Sequence, residues 1–158
     1  MLNEALFSTG KDDWETPHDF FSKMDEEFHF TLDACANEIN HKCPLYFDEQ
    51  IDGLKQDWSG HVVWVNPPYS NKVQNNWVKK CFEESEHAVV VMLIPARTDT
   101  KRFHKYIYNQ PGVEVRFIEG RLKFVGAKDV APFPSMVVIF DRKERLKNEN
   151  LYCGGDQQ

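Results

Sequence analysis

Asn66-Pro67-Pro68-Tyr69 stands immediately after the apolar run Val62-Val63-Trp64-Val65. A short apolar run that stops at prolines reads as a buried strand, so the tetrapeptide falls at its carboxyl end. In an open α/β sheet that end faces the crevice where ligands bind. Asn66 offers an amide oxygen, and the two prolines hold the following loop rigid while leaving backbone carbonyls outside any helix or sheet ladder. Tyr69 adds a flat π surface. Two acceptors and a ring suit a planar amine: the acceptors take its two N–H donors and the ring stacks on its face. The plainer alternative is a strand followed by a proline-rich turn in which Tyr69 only packs.

Several elements must position this tetrapeptide. Pro17 to Phe28 reads as a helix, with Thr16 as N-cap, Pro17 at the first helical position and Phe20, Phe21, Met24 and Phe28 on one face. Phe30 to Cys35 is a short strand, and Ala36 to Trp58 is rich in turn formers and poor in periodicity. His61 to Val65 is the strand that carries the tetrapeptide. Val73 to Ser85 follows as a helix with Val73, Trp77, Val78, Cys81 and Phe82 in one stripe. Ala88 to Ile94 is a continuous apolar run, as in a parallel strand covered on both faces. Thr100 to Tyr108 reads as a helix, and Val113 to Ile118 and Ser135 to Phe140 as late strands. Strands alternating with helices predict an α/β fold, a mostly parallel sheet with crossover helices and an antiparallel C-terminal strand pair. The expected organisation is a single domain over 1–147 and a flexible tail over 148–158.

Composition bounds the class. An apolar fraction of 41% across 158 residues is ample for one core. No run of about 18 apolar residues occurs and the start lacks a basic, apolar leader, so a protein of the cytoplasm is expected, with no membrane partner. Cys35, Cys43, Cys81 and Cys153 show no paired spacing, and Cys35, His41 and Cys43 lack a fourth zinc ligand, so no metal is expected. The net charge is −6, yet residues 1–60 hold 4 Lys+Arg against 14 Asp+Glu and residues 61–158 hold 15 against 11. A basic half that opens with the tetrapeptide can face a phosphate backbone while the acidic half points away. Arg97, Arg121 and Lys123 are its leading phosphate or base-edge candidates.

Further segments then appear in order: Asp13-Trp14-Glu15-Thr16-Pro17, Leu32-Asp33-Ala34-Cys35-Ala36, Asp52-Gly53-Leu54-Lys55-Gln56-Asp57-Trp58, and Gly120-Arg121-Leu122-Lys123-Phe124 with Pro132-Phe133-Pro134-Ser135. With Asn66-Pro67-Pro68-Tyr69 they make the chain, from about Trp14 to Phe140, resemble the phage-type DNA N6-adenine methyltransferase (Dam) family. The resemblance implies a compact Rossmann-like fold that uses S-adenosylmethionine, yields S-adenosylhomocysteine and needs no metal. It implies Asn66, Pro67, Pro68 and Tyr69 as the catalytic set. Cofactor contacts would come from Thr16, Pro17, Asp33, Ala34, Asp57, Trp58 and Asn66. Here Asp33 would meet the methionine ammonium or the floor of the site, and Asp57-Trp58 would hold the cofactor adenine. Asp33 also suits a turn, and Thr16 a helix cap; Asp48 and Asp52 compete for the ribose. One departure from the wider methyltransferase pattern is the missing glycine-rich loop, since Asp33 to Asn40 contains no Gly.

The reaction implied is methyl transfer to N6 of an adenine flipped out of DNA, with Tyr69 stacked on the base and Phe124 or Phe133 as a second wall, unless those two belong to the core. Phage or prophage origin, in a bacterial host, and a role in restriction-modification follow from the resemblance alone. Monomer and homodimer both remain open. The rivals are glutamine N5-methylation of a protein, because the tetrapeptide suits any planar amide, and a catalytically silent nucleic-acid-binding module of the same fold.

Overall fold

A computed structural model describes residues 13–143, so the tail expected over 148–158 and the last residues of the expected domain lie outside the described residues. Among the described residues three α-helices and five strands follow in chain order: α1 (His18–Phe28), β1 (Leu32–Asp33), β2 (Val62–Val65), α2 (Asn71–Glu84), β3 (Val89–Pro95), α3 (Lys101–Tyr106), β4 (Val113–Phe117) and β5 (Ser135–Phe140). The strands form one open sheet in the order β1-β2-β3-β5-β4. β1, β2 and β3 are parallel, and β5 runs antiparallel to both β3 and β4. The fold is thus mixed α/β; the β4–β5 pair is antiparallel as the sequence predicts, and β5 is also antiparallel to β3, which the sequence reading does not anticipate.

The central strands are buried on both faces because their sequences are apolar throughout. β3 reads Val-Val-Val-Met-Leu-Ile-Pro and β5 Ser-Met-Val-Val-Ile-Phe, and nearly every one of these residues is enclosed. α1 packs Phe21 and Met24 inward, with Phe21 stacked on Phe30 and edge-on to Trp64. α2 buries Trp77, Val78 and Cys81 along the expected stripe. It also pins the turn before β2: Lys80 Nζ bonds both Glu84 and the Gln56 carbonyl at 2.6 Å, and Glu84 accepts from the Trp58 N–H.

Two expectations need correction. No α-helix crosses from β1 to β2. The connection is irregular apart from a 3-10 turn at Gly53–Lys55, as its lack of periodicity allows. β1 itself pairs over only two residues, because Asp33 N–H then turns to the Leu45 carbonyl and the Phe47 N–H returns to the Asp33 carbonyl. Thr16 does not cap α1 either. Pro17 occupies the cap position without a side-chain bond, and the Thr16 side chain is engaged elsewhere. Among the described residues no helix is long and apolar enough to cross a membrane.

Candidate active site

The carboxyl ends of β1 and β2 bring Asp33 and Asn66 to one rim. Asn66 is held from both ends of its amide. Nδ2 donates to the Trp14 carbonyl at 2.5 Å and to Thr16 Oγ1 at 3.0 Å. Oδ1 accepts from the Tyr69 hydroxyl at 2.6 Å, and that hydroxyl also lies 3.3 Å from the Leu93 carbonyl. Thr16 is fully buried, and its hydroxyl serves Asn66 in place of a helix end. Among the described residues no hydrogen bond reaches the Pro67 or Pro68 carbonyl. The loop therefore presents ready acceptors, as two consecutive prolines dictate.

Beside the tetrapeptide lies a cavity of about 670 Å³. Its walls include Thr16, Asp33, Ala34, Asn66, Pro67 and Pro68. Its lining holds carboxylates, Asp13, Glu15, Asp48, Glu49 and Asp52, together with apolar side chains, Phe47, Leu54, Val73 and Trp77. The one lysine on the wall, Lys42, is paired with Glu15 at 3.2 Å. Asp33 is buried. Burial pushes its carboxyl up to about 6, against the pull of the backbone N–H groups of Lys42 and Cys35 that bond it. A carboxylate so placed favours an added cation.

The glycine that the segment after β1 lacks is supplied from elsewhere. Gly53 lines the cavity, and a Cβ there would come within 2.2 Å of the Ala34 carbonyl oxygen. Preceding it, Asp52 takes a left-handed φ of 59° and ties the turn by accepting from the Leu54 N–H. The sequence reading missed Gly53 in this role, although the only glycine between β1 and Ser59 was a usable signal.

Other expected residues fall differently. Asp57 is exposed and bonded to Ser59, which holds its carboxyl below the usual range. Trp58 is fully buried, with Nε1 donating to the Gly53 carbonyl at 3.0 Å, so it supports the cavity wall from behind. Neither lines the cavity, and neither does Pro17. Tyr69 is only 2% exposed. Its ring, with those of Trp14, Phe124 and Phe133, makes a cluster of edge-to-face contacts closed by a tilted Phe124–Phe133 pair, the centroids 5.2 to 6.2 Å apart. Phe124 and Phe133 thus join the tetrapeptide, as does Arg97, whose Nη1 donates to the Tyr69 carbonyl at 3.1 Å. Arg121 and Lys123 are exposed on the loop that carries Phe124, with Arg121 Nη1 on the Ala131 carbonyl. Cys35 and Cys43 are thiols that burial pushes up to about 12, which keeps them protonated.

The family model described as DNA N-6-adenine-methyltransferase (Dam) matches residues 4–149. The DNA N-6-adenine-methyltransferase of Haemophilus phage HP1 (strain HP1c1) is 32% identical over 152 residues, 90% of this chain and 86% of that protein. That of Escherichia phage T1 is 33% identical over 115 residues, 71% of this chain but 47% of that protein, so the chain spans about half the length of this second relative. Since the matched span takes in every described strand together with Asn66 to Tyr69, the chain belongs to the DNA N-6-adenine-methyltransferase (Dam) family.

Proposed function

We propose that this protein transfers a methyl group from S-adenosylmethionine to N6 of an adenine flipped out of DNA. The observation that carries the proposal is the cavity, rich in carboxylates, that opens onto Asn66, Pro67 and Pro68, the two proline carbonyls having no hydrogen-bond partner among the described residues. The sheet order, with β5 alone reversed, supports a Rossmann-like methyltransferase architecture.

The residues present fit the cofactor. A cavity of about 670 Å³ suits a molecule of that size, and its carboxylates suit a cation bearing hydroxyls. Asp33 would face the ammonium, Asp48 or Asp52 the ribose, and Phe47, Leu54 and Trp77 the adenine ring. This last role passes to them from the Asp57-Trp58 pair, which lies off the cavity. When bound, the cofactor supplies a methyl group on a sulfonium that is already a good leaving group, so no metal or nucleophilic side chain is needed.

The chain's own work is positioning. Thr16 and the Trp14 carbonyl fix the Asn66 amide with Oδ1 toward the Tyr69 hydroxyl, which leaves that oxygen a second lone pair for the substrate. Oδ1 accepts one N6–H and the Pro67 carbonyl the other, which favours a pyramidal N6, takes its lone pair out of conjugation with the ring and aims it toward the cavity. Neither acceptor is a base, so the surplus proton leaves N6 for solvent after transfer. Base entry requires the Trp14, Tyr69, Phe124 and Phe133 cluster to open. Stacking of the adenine on Tyr69, worth about 1–3 kcal/mol, offsets the lost ring contacts.

A product analysis tests this reading. Purified protein is incubated with methyl-labelled S-adenosylmethionine and unmethylated DNA, RNA or cell protein, and the digest is resolved. Label in N6-methyladenine of DNA is expected. Label in glutamine would replace the reading with protein methylation, and no label in any substrate would leave a binding module.

A further inference from the structure

We infer that Arg97 and Arg102, side by side at the amino end of α2, grip a backbone phosphodiester of the DNA next to the flipped adenine. The inference rests on the DNA-methylating reading above and adds a specific phosphate contact to it.

The two guanidinium groups converge on one atom. Arg97 Nη1 donates to Asn71 Oδ1 at 2.9 Å, and Arg102 Nη2 donates to the same oxygen at 3.1 Å. Arg97 Nη1 also reaches the Tyr69 carbonyl, while Arg102 Nη1 reaches Asn75 Oδ1 at 3.1 Å and the Asn71 carbonyl at 3.5 Å. Every one of these acceptors is neutral. Among the described residues neither arginine has a carboxylate at ion-pair distance, whereas Arg116, Arg142 and Lys80 each do.

Arg102 is nevertheless only 6% exposed. Burying a cation beside a second cation, with amide oxygens as sole partners, is costly unless an anion completes the site. Burial and the neighbouring Arg97 accordingly hold the Arg102 guanidinium below its usual range. Each group keeps N–H donors without a protein acceptor among the described residues, Nη2 and Nε of Arg97 included. Asp99 exerts an opposing pull on Arg102 without reaching ion-pair distance, and α2, 14 residues long, has no acidic residue in its first turn and no side-chain cap. Guanidinium forks match phosphate oxygens in geometry, and a helix amino end adds unpaired N–H groups. Because Arg97 touches the last residue of the tetrapeptide, a phosphate held there belongs to the nucleotide being methylated or its neighbour.

The alternative role is a staple that merely joins α3 to α2. The two are separated with duplexes containing a site that the wild-type protein methylates, each carrying one uncharged methylphosphonate near the target adenine. Affinity is measured against salt for wild type, Arg97→Gln and Arg102→Gln, alongside cofactor affinity and thermal melting. At one flanking position the wild type is expected to lose about tenfold in affinity, and the variants to lose as much on unmodified DNA but nothing further at that position. Their plots of log affinity against log salt should be shallower by about 1, with cofactor affinity unchanged. An unaltered slope, with the methylphosphonate penalty the same as in wild type, would assign the arginines to stapling only. Should Arg102→Gln fail to fold, Arg97→Gln, whose side chain is half-buried, decides the matter alone. Absence of any DNA methylation by wild type removes the proposed function itself; methylation with unaltered slopes removes only the phosphate site.

Discussion

The wall of the cavity and the lip beyond the tetrapeptide carry opposite charge. On the cavity side stand Asp13, Glu15, Asp33, Asp48, Glu49 and Asp52, with one lysine that is already paired. On the lip stand Arg97 and Arg102 without carboxylate partners among the described residues, and Arg121 and Lys123 on the neighbouring loop. A net charge of −6 therefore averages over a divided surface. The division suits a cationic methyl donor on one side and a polyanion on the other, and Asn66 stands on the border between them.

The border is where the comparison breaks most easily. Asn66→Ala removes the acceptor for the amine and leaves the cavity wall, so kcat should fall by about 10²–10³-fold while cofactor affinity, read by calorimetry, stays put. Equal loss of both would make Asn66 a part of the cofactor side alone.

Gly53→Ala attacks the acidic side through its backbone. The added Cβ meets the Ala34 carbonyl oxygen at 2.2 Å, so one strand-end loop must move. A loss of about 2–3 kcal/mol in denaturant unfolding is expected, with weakened cofactor binding and unchanged affinity for DNA. If DNA binding fell instead, the two sides would not be separable.

Asp33 gives a titration with a defined sign. Folding raises its pKa from 3.8 to about 6 through burial, so between those values the folded chain holds a proton that the unfolded chain has lost. Its contribution to stability therefore declines as pH climbs from about 4 to about 6. The cofactor ammonium requires the ionised form, so cofactor affinity should rise over the same window. Thermal melting against pH, with and without cofactor, reads both trends, and Asp33→Asn should flatten them. Affinity that drops as pH passes through about 6 would take Asp33 out of cation binding.

The smallest effect is expected at Thr16. Thr16→Val removes one of two acceptors for Asn66 Nδ2, which is worth about 0.5–1.5 kcal/mol. The loss should appear in kcat and leave affinity for DNA alone. Restoration by Thr16→Ser would assign it to the hydroxyl.

What could be read from the sequence divides along the same physical lines. The helices and late strands follow from apolar period and turn residues, so Val73 to Ser85 and Ser135 to Phe140 land within a few residues of α2 and β5. The tetrapeptide is contiguous and needs no partner to be noticed. The cluster of Trp14, Tyr69, Phe124 and Phe133 is assembled across more than a hundred residues, and no local pattern announces it. Ala36 to Trp58 lacks a period because it wraps the cavity as irregular loop. The resemblance implies that Asp57-Trp58 holds a ligand ring, yet the Trp58 indole turns inward to hold Gly53. The site's own glycine acts on a loop far from the segment where a glycine-rich turn is expected.

The most direct measurement is a crystal structure with S-adenosylhomocysteine and a DNA duplex that the protein methylates. The account predicts the cofactor product in the cavity beside Asp33, and an extrahelical adenine whose N6 lies about 2.7–3.2 Å from both Asn66 Oδ1 and the Pro67 carbonyl oxygen. An adenine left stacked in the duplex, or seated away from those two oxygens in a complex competent for transfer, would contradict it.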